Sequence, residues 1–172
     1  MRVRGILRRA LAVGALALSL AGAASARGVV EFPSPYAAGT IVISQSGRKL
    51  FLIVDSQRAI EYPVAVAKRG MEWSGYARVE GKFVEPAWAP PAMVRRDHPE
   101  LPDVIPGGSP HNPMGARAIT LDRDEVAIHG TTRTMRASIG TAASYGCVRM
   151  FNEDVIDLFD RVSVGAPVVM IH

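Results

Sequence analysis

Ser144-Tyr145-Gly146-Cys147-Val148-Arg149-Met150, read together with Ile128-His129-Gly130-Thr131 upstream, is the stretch that organises this chain. Cys147 is the only cysteine among 172 residues, so it has no partner for an internal disulfide. A lone cysteine commonly packs as a small buried hydrophobe. This one lies in a Ser-flanked, glycine-containing turn rather than an apolar run. Gly146 lets the backbone turn tightly and brings amide N–H groups close to a ligand. A thiol needs a base to become a thiolate, and His129, of a residue type that titrates at about 6.5, is the usual kind. An imidazolium beside the sulfur is expected to hold the thiol below its ordinary value of about 8.5. Backbone amides around Gly146 and Cys147 would donate to a developing oxyanion. The pattern points to nucleophilic chemistry on an acyl group.

The N-terminus places that thiol in a compartment. Arg2, Arg4, Arg8 and Arg9 precede an uncharged stretch, Ala10 to Ala26, that ends in the small-residue triplet Ala24-Ser25-Ala26. This is the pattern of a secretory signal peptide, expected over 1–26. The apolar core Ala10–Leu20 is short for a membrane span, which needs about 20 residues; a retained anchor is the competing reading. No cysteine follows Leu20-Ala21-Gly22, so lipoprotein attachment there is excluded. The chain is therefore expected in the periplasm. The 20 basic residues exceed the 16 acidic ones only because four arginines lie in 1–26, which holds no acid. From Arg27 onwards the charges balance, and the high isoelectric point of about 9.6 is no argument for nucleic-acid binding. The remaining length suits one domain with one core. A free thiol in an oxidising compartment favours a reactive role over a structural one.

Residues 27–38 carry Pro33 and Pro35 without periodicity and read as an N-terminal arm. Thr40–Ser44, Lys49–Val54 and Ala59–Ala67 are β-branched or alternating runs separated by turn residues, an antiparallel meander in which Pro63 marks an edge or a bulge. Lys68 to Pro113 is rich in proline and glycine. It reads as long loops with short strands at Tyr76–Val79 and Lys82–Val84, and loops of this length are usually functional or mobile. Within it, Pro86-Ala87-Trp88-Ala89-Pro90-Pro91 is a rigid segment, either a substrate wall or a loop packed on the core. Strands are expected at Arg117–Leu121 and at Glu125–Ile128, the latter delivering His129. Thr131 to Ala143 is a polar excursion. Asn152 is expected to cap a helix whose first turn carries Glu153 and Asp154, with Val155, Ile156, Leu158, Phe159 and Val162 forming its apolar face. Ala166–Ile171 is a closing strand.

With these residues in view, the pairing of His129-Gly130-Thr131 with Ser144 to Met150 resembles the active-site signature of the L,D-transpeptidase catalytic domain. The resemblance extends over roughly Gly39 to His172. It includes Pro86–Pro91, the turn Asn112-Pro113-Met114-Gly115-Ala116-Arg117-Ala118, the helix and the last strand. It implies a mainly β fold, a mixed sandwich or barrel-like sheet with a short helix after the cysteine motif, over residues 39–172. It implies an acyl donor, the peptidoglycan tetrapeptide stem cleaved after diaminopimelate and carried on Cys147 as a thioester. The acceptor would be an amine on a second stem, a lipoprotein or a D-amino acid; water would make the reaction a carboxypeptidase one. Carbapenem-type β-lactams would be inhibitors. In this resemblance Cys147 is the nucleophile and His129 the base, with the Gly130 carbonyl orienting the ring. Amides near Tyr145, Gly146 and Cys147 form the oxyanion hole, while Ser144, Thr131 and Arg149 support the loop or hold substrate. The family usually has a histidine directly before Gly-Cys; here that place is Tyr145, and a phenol titrating near about 10 is no base at neutral pH.

Two other readings compete. One is a wall-binding module of the same fold without turnover. The other is a metal site from His98, His111, His129 and Cys147, whose spacings match no common zinc pattern. No metal or cofactor is expected.

Overall fold

β-branched and apolar residues between Ile41 and Ala67 prefer an extended, half-buried surface, and they build the frame that carries the rest. The computed structural model describes residues 27–172; the signal-peptide reading of 1–26 lies outside the described residues. Among the described residues the strands are β1 Gly28–Glu31, β2 Ile41–Ser44, β3 Lys49–Ile53, β4 Arg58–Ala67, β5 Gly75–Val84, β6 Arg117–Leu121, β7 Ala127–His129, β8 Ala142–Ser144, β9 Val148–Met150 and β10 Pro167–Ile171. Two α-helices, α1 Ala92–Asp97 and α2 Asn152–Arg161, and a 3-10 turn at Thr134–Ser138 complete them. Hydrogen-bonded neighbours run β1-β4-β3-β2-β10-β5-β6-β7-β9, and β9 pairs again with β4, closing the sheet into a ring. The β2–β10, β7–β9 and β4–β8 pairs are parallel and the others antiparallel. The mainly β, mixed and barrel-like architecture expected from the sequence is the one observed.

β4 is the strand at which the ring turns its corner. Its first half lies between β1 and β3, and Pro63, opposite Lys49, is its last residue paired with β3. From Val64 onwards it pairs with β9 and then β8. Proline has no N–H for a ladder, so it sits where the strand changes partners. The inward residues Ile41, Ile43, Leu50, Tyr62 and Val64 fill the ring and are wholly buried. α2 lays Val155 and Leu158 into the same core, and Val162, which follows its last turn, joins them. Each such side chain is worth roughly 1.5–3 kcal/mol of burial. That helix packs against β6 and β7, the second of which ends in His129.

Several expectations are corrected. The arm 27–38 is part of the fold: β1 pairs with β4, and Phe32 stacks on Phe51 at 4.5 Å. The two short strands within 76–84 are one strand, β5, with a register shift between Val79 and Gly81. The loop region holds α1, too short to show a helical period because only Val94 is buried. The strand before His129 starts at Ala127, since Glu125 takes φ +59° and belongs to the turn. Asn152 is the first residue of α2, preceded by Phe151 at the cap position, and its side chain is used elsewhere.

Candidate active site

β7 and β9 lie side by side and parallel, with Ile128 opposite Val148 and His129 opposite Arg149. Side chains alternate along a strand, and opposed residues share a face. Ile128, Val148 and Met150 take the inner face and are fully buried in the core. His129, Arg149 and, one residue before β9, Cys147 take the other. Strand register therefore brings together residues far apart in the chain. They line a cavity of about 100 Å³ together with Trp88, Met93 and Val94. Trp88 is pinned to Ile105 by a pair of backbone hydrogen bonds, 2.9 and 2.8 Å, so its segment is both packed and part of the wall.

His129 is 4% exposed. Its Nδ1 lies 2.9 Å from the Gly130 carbonyl oxygen and 3.1 Å from that of Pro113. A carbonyl only accepts, so Nδ1 carries the hydrogen and the neutral ring leaves Nε2 bare. Burial, and then the positive charge of Arg149, push His129 down to about 4, against the pull of the two carbonyls. Cys147 keeps some surface open to the cavity, yet burial pushes its thiol up. The Ala127 N–H and Arg149 oppose that rise, while Glu125 adds to it. The S–H donates to the Glu125 carbonyl at 3.4 Å, which the left-handed backbone of that residue presents.

The resting pair is thus a neutral thiol and a neutral imidazole. This corrects the expectation of a thiol depressed by an imidazolium: desolvation disfavours both charges. A bare Nε2 is the form that can take a proton as the sulfur attacks.

The other expected residues fall as follows. Ser144, 2% exposed, donates from Oγ to the Cys147 carbonyl and accepts from the Gly146 N–H at 3.3 Å. That amide, expected to face an oxyanion, is turned towards the hydroxyl, which satisfies it within the tight turn. Gly146 needs its φ of +130°, and its carbonyl accepts from Trp73 Nε1 at 3.1 Å. Arg149, 8% exposed, donates to Ser138 Oγ at 2.8 Å; its buried Nε has no hydrogen-bond partner. Tyr145 borders the cavity, but its hydroxyl donates to Asp97 at 2.9 Å. The Lys68 ammonium stands 3.5 Å over its ring. Thr131 is buried behind the histidine, with its N–H and C=O both bound by the Asn152 side chain. Among the described residues no three His, Cys, Asp or Glu side chains converge on a metal site.

Sequence reasoning missed Glu125, Asp97 and Asn152. Glu125 acts through its carbonyl and Asp97 across a long loop, so neither leaves a local signal. Asn152 was visible but assigned to capping.

A model of the L,D-transpeptidase catalytic domain (YkuD) matches residues 38–170. The probable L,D-transpeptidase ErfK/SrfK of Escherichia coli K12 is 35% identical over 138 residues, which is 76% of this chain and 43% of that protein. The chain thus spans less than half the length of this curated relative. A crystal structure of a probable carnitine operon oxidoreductase from Brucella melitensis is 38% identical, covering 85% of this chain and 93% of that one, with a TM-score of 0.56. L,D-transpeptidase 3 of Mycobacterium tuberculosis, in complex with a faropenem-derived adduct, has a TM-score of 0.60 at 15% identity. That match covers 78% of this chain and 60% of that one, a likeness of fold alone.

Proposed function

Because the chain belongs to the L,D-transpeptidase catalytic-domain family, we propose that it is an acyltransferase of the periplasm acting on peptidoglycan tetrapeptide stems. The observation that carries this reading is the pair of backbone carbonyl oxygens within hydrogen-bond distance of His129 Nδ1, on the strand face shared with Cys147. The sulfur attacks the stem carbonyl while its proton passes to Nε2, giving a tetrahedral intermediate. Collapse of the intermediate expels the terminal D-amino acid, whose nitrogen takes the proton back from the imidazolium, and leaves a Cys147 thioester. An acceptor amine then attacks the thioester, losing a proton to Nε2, and the thiol is regenerated. The charge of Arg149 disfavours an idle imidazolium and favours developing negative charge on sulfur. The same chemistry makes Cys147 a target for carbapenem-type β-lactams; the mycobacterial protein of like fold carries an adduct derived from faropenem, a related β-lactam. Export is supported by the basic and apolar pattern of 1–26.

The test is incubation of the protein with purified tetrapeptide muropeptides and mass analysis. Cross-linked dimers or exchanged termini are expected; tripeptides alone would assign a hydrolase. Cys147→Ser is expected to abolish every product while keeping the fold. Turnover by that variant near the wild-type rate would sink the thioester.

A further inference from the structure

We propose that Asn152 is a positioning residue that sets the tautomer of His129. Its side-chain amide is bonded at both ends. Oδ1 accepts from the Ala116 N–H at 3.1 Å and the Thr131 N–H at 3.0 Å, while Nδ2 donates to the Thr131 carbonyl at 3.0 Å. Thr131 follows Gly130, and Ala116 lies three residues beyond Pro113. Gly130 and Pro113 supply the two carbonyls on His129 Nδ1. One side chain therefore ties together both backbone segments that orient the ring.

The glycines around it show how closely the amide is held. A Cβ on Gly115 would come within 2.3 Å of Asn152 Oδ1, and one on Gly130 within 2.2 Å. The glycine after the histidine is thus required by the amide that occupies the space beside it. The helix makes no use of this side chain as a cap: the first turn of α2 is closed by Asp154 and Val155 N–H groups on the Phe151 carbonyl, and no side chain caps it.

The consequence for chemistry follows from the imidazole. Without imposed partners, a neutral histidine populates both tautomers, and the Nε2–H form presents a hydrogen where the thiol needs a lone pair. One Nδ1 hydrogen shared between two carbonyls, which can only accept, keeps the ring in the competent form. When the Gly130 and Pro113 segments are no longer tied, that preference weakens and the fraction of working base falls.

The inference rests on the thiol–imidazole reading above, and its test has a readout that needs no substrate. The 15N NMR shifts of His129, assigned by their absence in His129→Gln, report which nitrogen carries hydrogen. In Asn152→Ser we expect a mixed tautomer. Thioester formation with a tetrapeptide stem should slow roughly tenfold or more, a fraction of what a positioned general base supplies, with KM little changed. Asn152→Asp keeps an acceptor for both N–H groups but turns a carboxylate oxygen onto the Thr131 carbonyl, so it should fall between wild type and Asn152→Ser in tautomer and rate. A wild-type tautomer in Asn152→Ser, or an Asn152→Asp as impaired as Asn152→Ser, would overturn the proposal. Should the serine variant fail to fold, the aspartate variant decides: a partly mixed tautomer is expected, and a wild-type tautomer would overturn the proposal. A shifted tautomer in a protein inert to every stem would leave the positioning role standing and remove the substrate instead.

Discussion

His129 and Tyr145 border the same cavity and are held in opposite ways. The histidine is 4% exposed, ends a strand inside the closed sheet, and is bound through its ring only to backbone carbonyls. The tyrosine is half-buried and bound to other side chains: Asp97 at its hydroxyl, Lys68 over its face and His98 at its edge. Asp97 in turn meets Arg96 and Lys68. Backbone partners move only if the fold moves. Exposed side-chain partners exchange with water and are screened by salt. The contrast sets the proposed thiol–imidazole pair on the rigid side of the cavity, and the placement of α1 on the adjustable side.

The strongest break in the comparison is His129→Gln. Turnover should fall by roughly 10²–10⁴, the usual contribution of a positioned base. Iodoacetamide labelling of Cys147 should slow at neutral pH, where the neutral imidazole takes the thiol proton, whereas an unchanged rate would mean that another group activates the thiol. Stability should change its pH dependence as well. His129 titrates at about 4 in the folded chain and at about 6.5 when unfolded. Between those values the unfolded chain binds the extra proton, so the native state loses stability as pH falls. The loss is full below the folded value and absent above the unfolded one, about 3 kcal/mol across the window. Denaturant melts at pH 7 and pH 4.5 should show this slope in the wild type and lack it in the variant. Glu153, held near 2 by Arg136, acts only at lower pH and does not confuse the reading.

Much of the rigid side was legible in the sequence and little of the adjustable side. The runs from Ile41 to Ala67, the apolar face of α2 and the closing strand announce themselves by periodicity, because burial imposes it. Cys147 and His129 stand out by chemistry and by glycine neighbours. What was missed depends on contacts that cross the chain. The α1 helix shows one buried residue and so no period, and β1 is recruited by the edge of β4 rather than by its own composition. Glu125 reaches Cys147 through a carbonyl, which has no residue type. Asn152 misled for a different reason: asparagine at a helix start is a good cap, and only the folded chain shows its amide turned away to Ala116 and Thr131. The direction of the Cys147 and His129 shifts was also hidden, since desolvation is a property of the packed cavity.

A weaker break on the rigid side is Gly130→Ala. The added carbon would lie 2.2 Å from Asn152 Oδ1 and 3.1 Å from the Met114 carbonyl oxygen and the Ala116 amide nitrogen, so the amide must leave its place. Overpacking of this kind costs about 1–3 kcal/mol. Turnover should fall by roughly tenfold, less than for loss of the base itself, because the imidazole is displaced and not removed. Thermal melts and muropeptide turnover measured together check it. A variant with full activity would show that the loop tolerates the shift without disturbing His129.

The smallest effect sharpens the comparison from the adjustable side. Tyr145→Phe removes the hydroxyl that donates to Asp97 and keeps the ring beneath Lys68. Asp97 remains ionised at neutral pH, because its pairing with Arg96 is the larger cause holding its carboxyl below the usual range. The group is exposed, so the melting temperature should stay within about 2 °C of wild type. The labelling rate of Cys147 should stay unchanged, since neither His129 nor its carbonyls touch the phenol. What should change is the grip on α1, whose Met93 and Val94 line the same cavity as Cys147. KM for the donor stem is expected to rise about twofold to threefold at low salt with kcat unchanged. Raising ionic strength should bring the wild type towards the variant, because Lys68, Asp97 and Arg96 are then screened in both. Measuring kcat and KM at two salt concentrations separates the outcomes. A fall in kcat with an unchanged KM would place Tyr145 in the chemistry, on the same side of the comparison as His129.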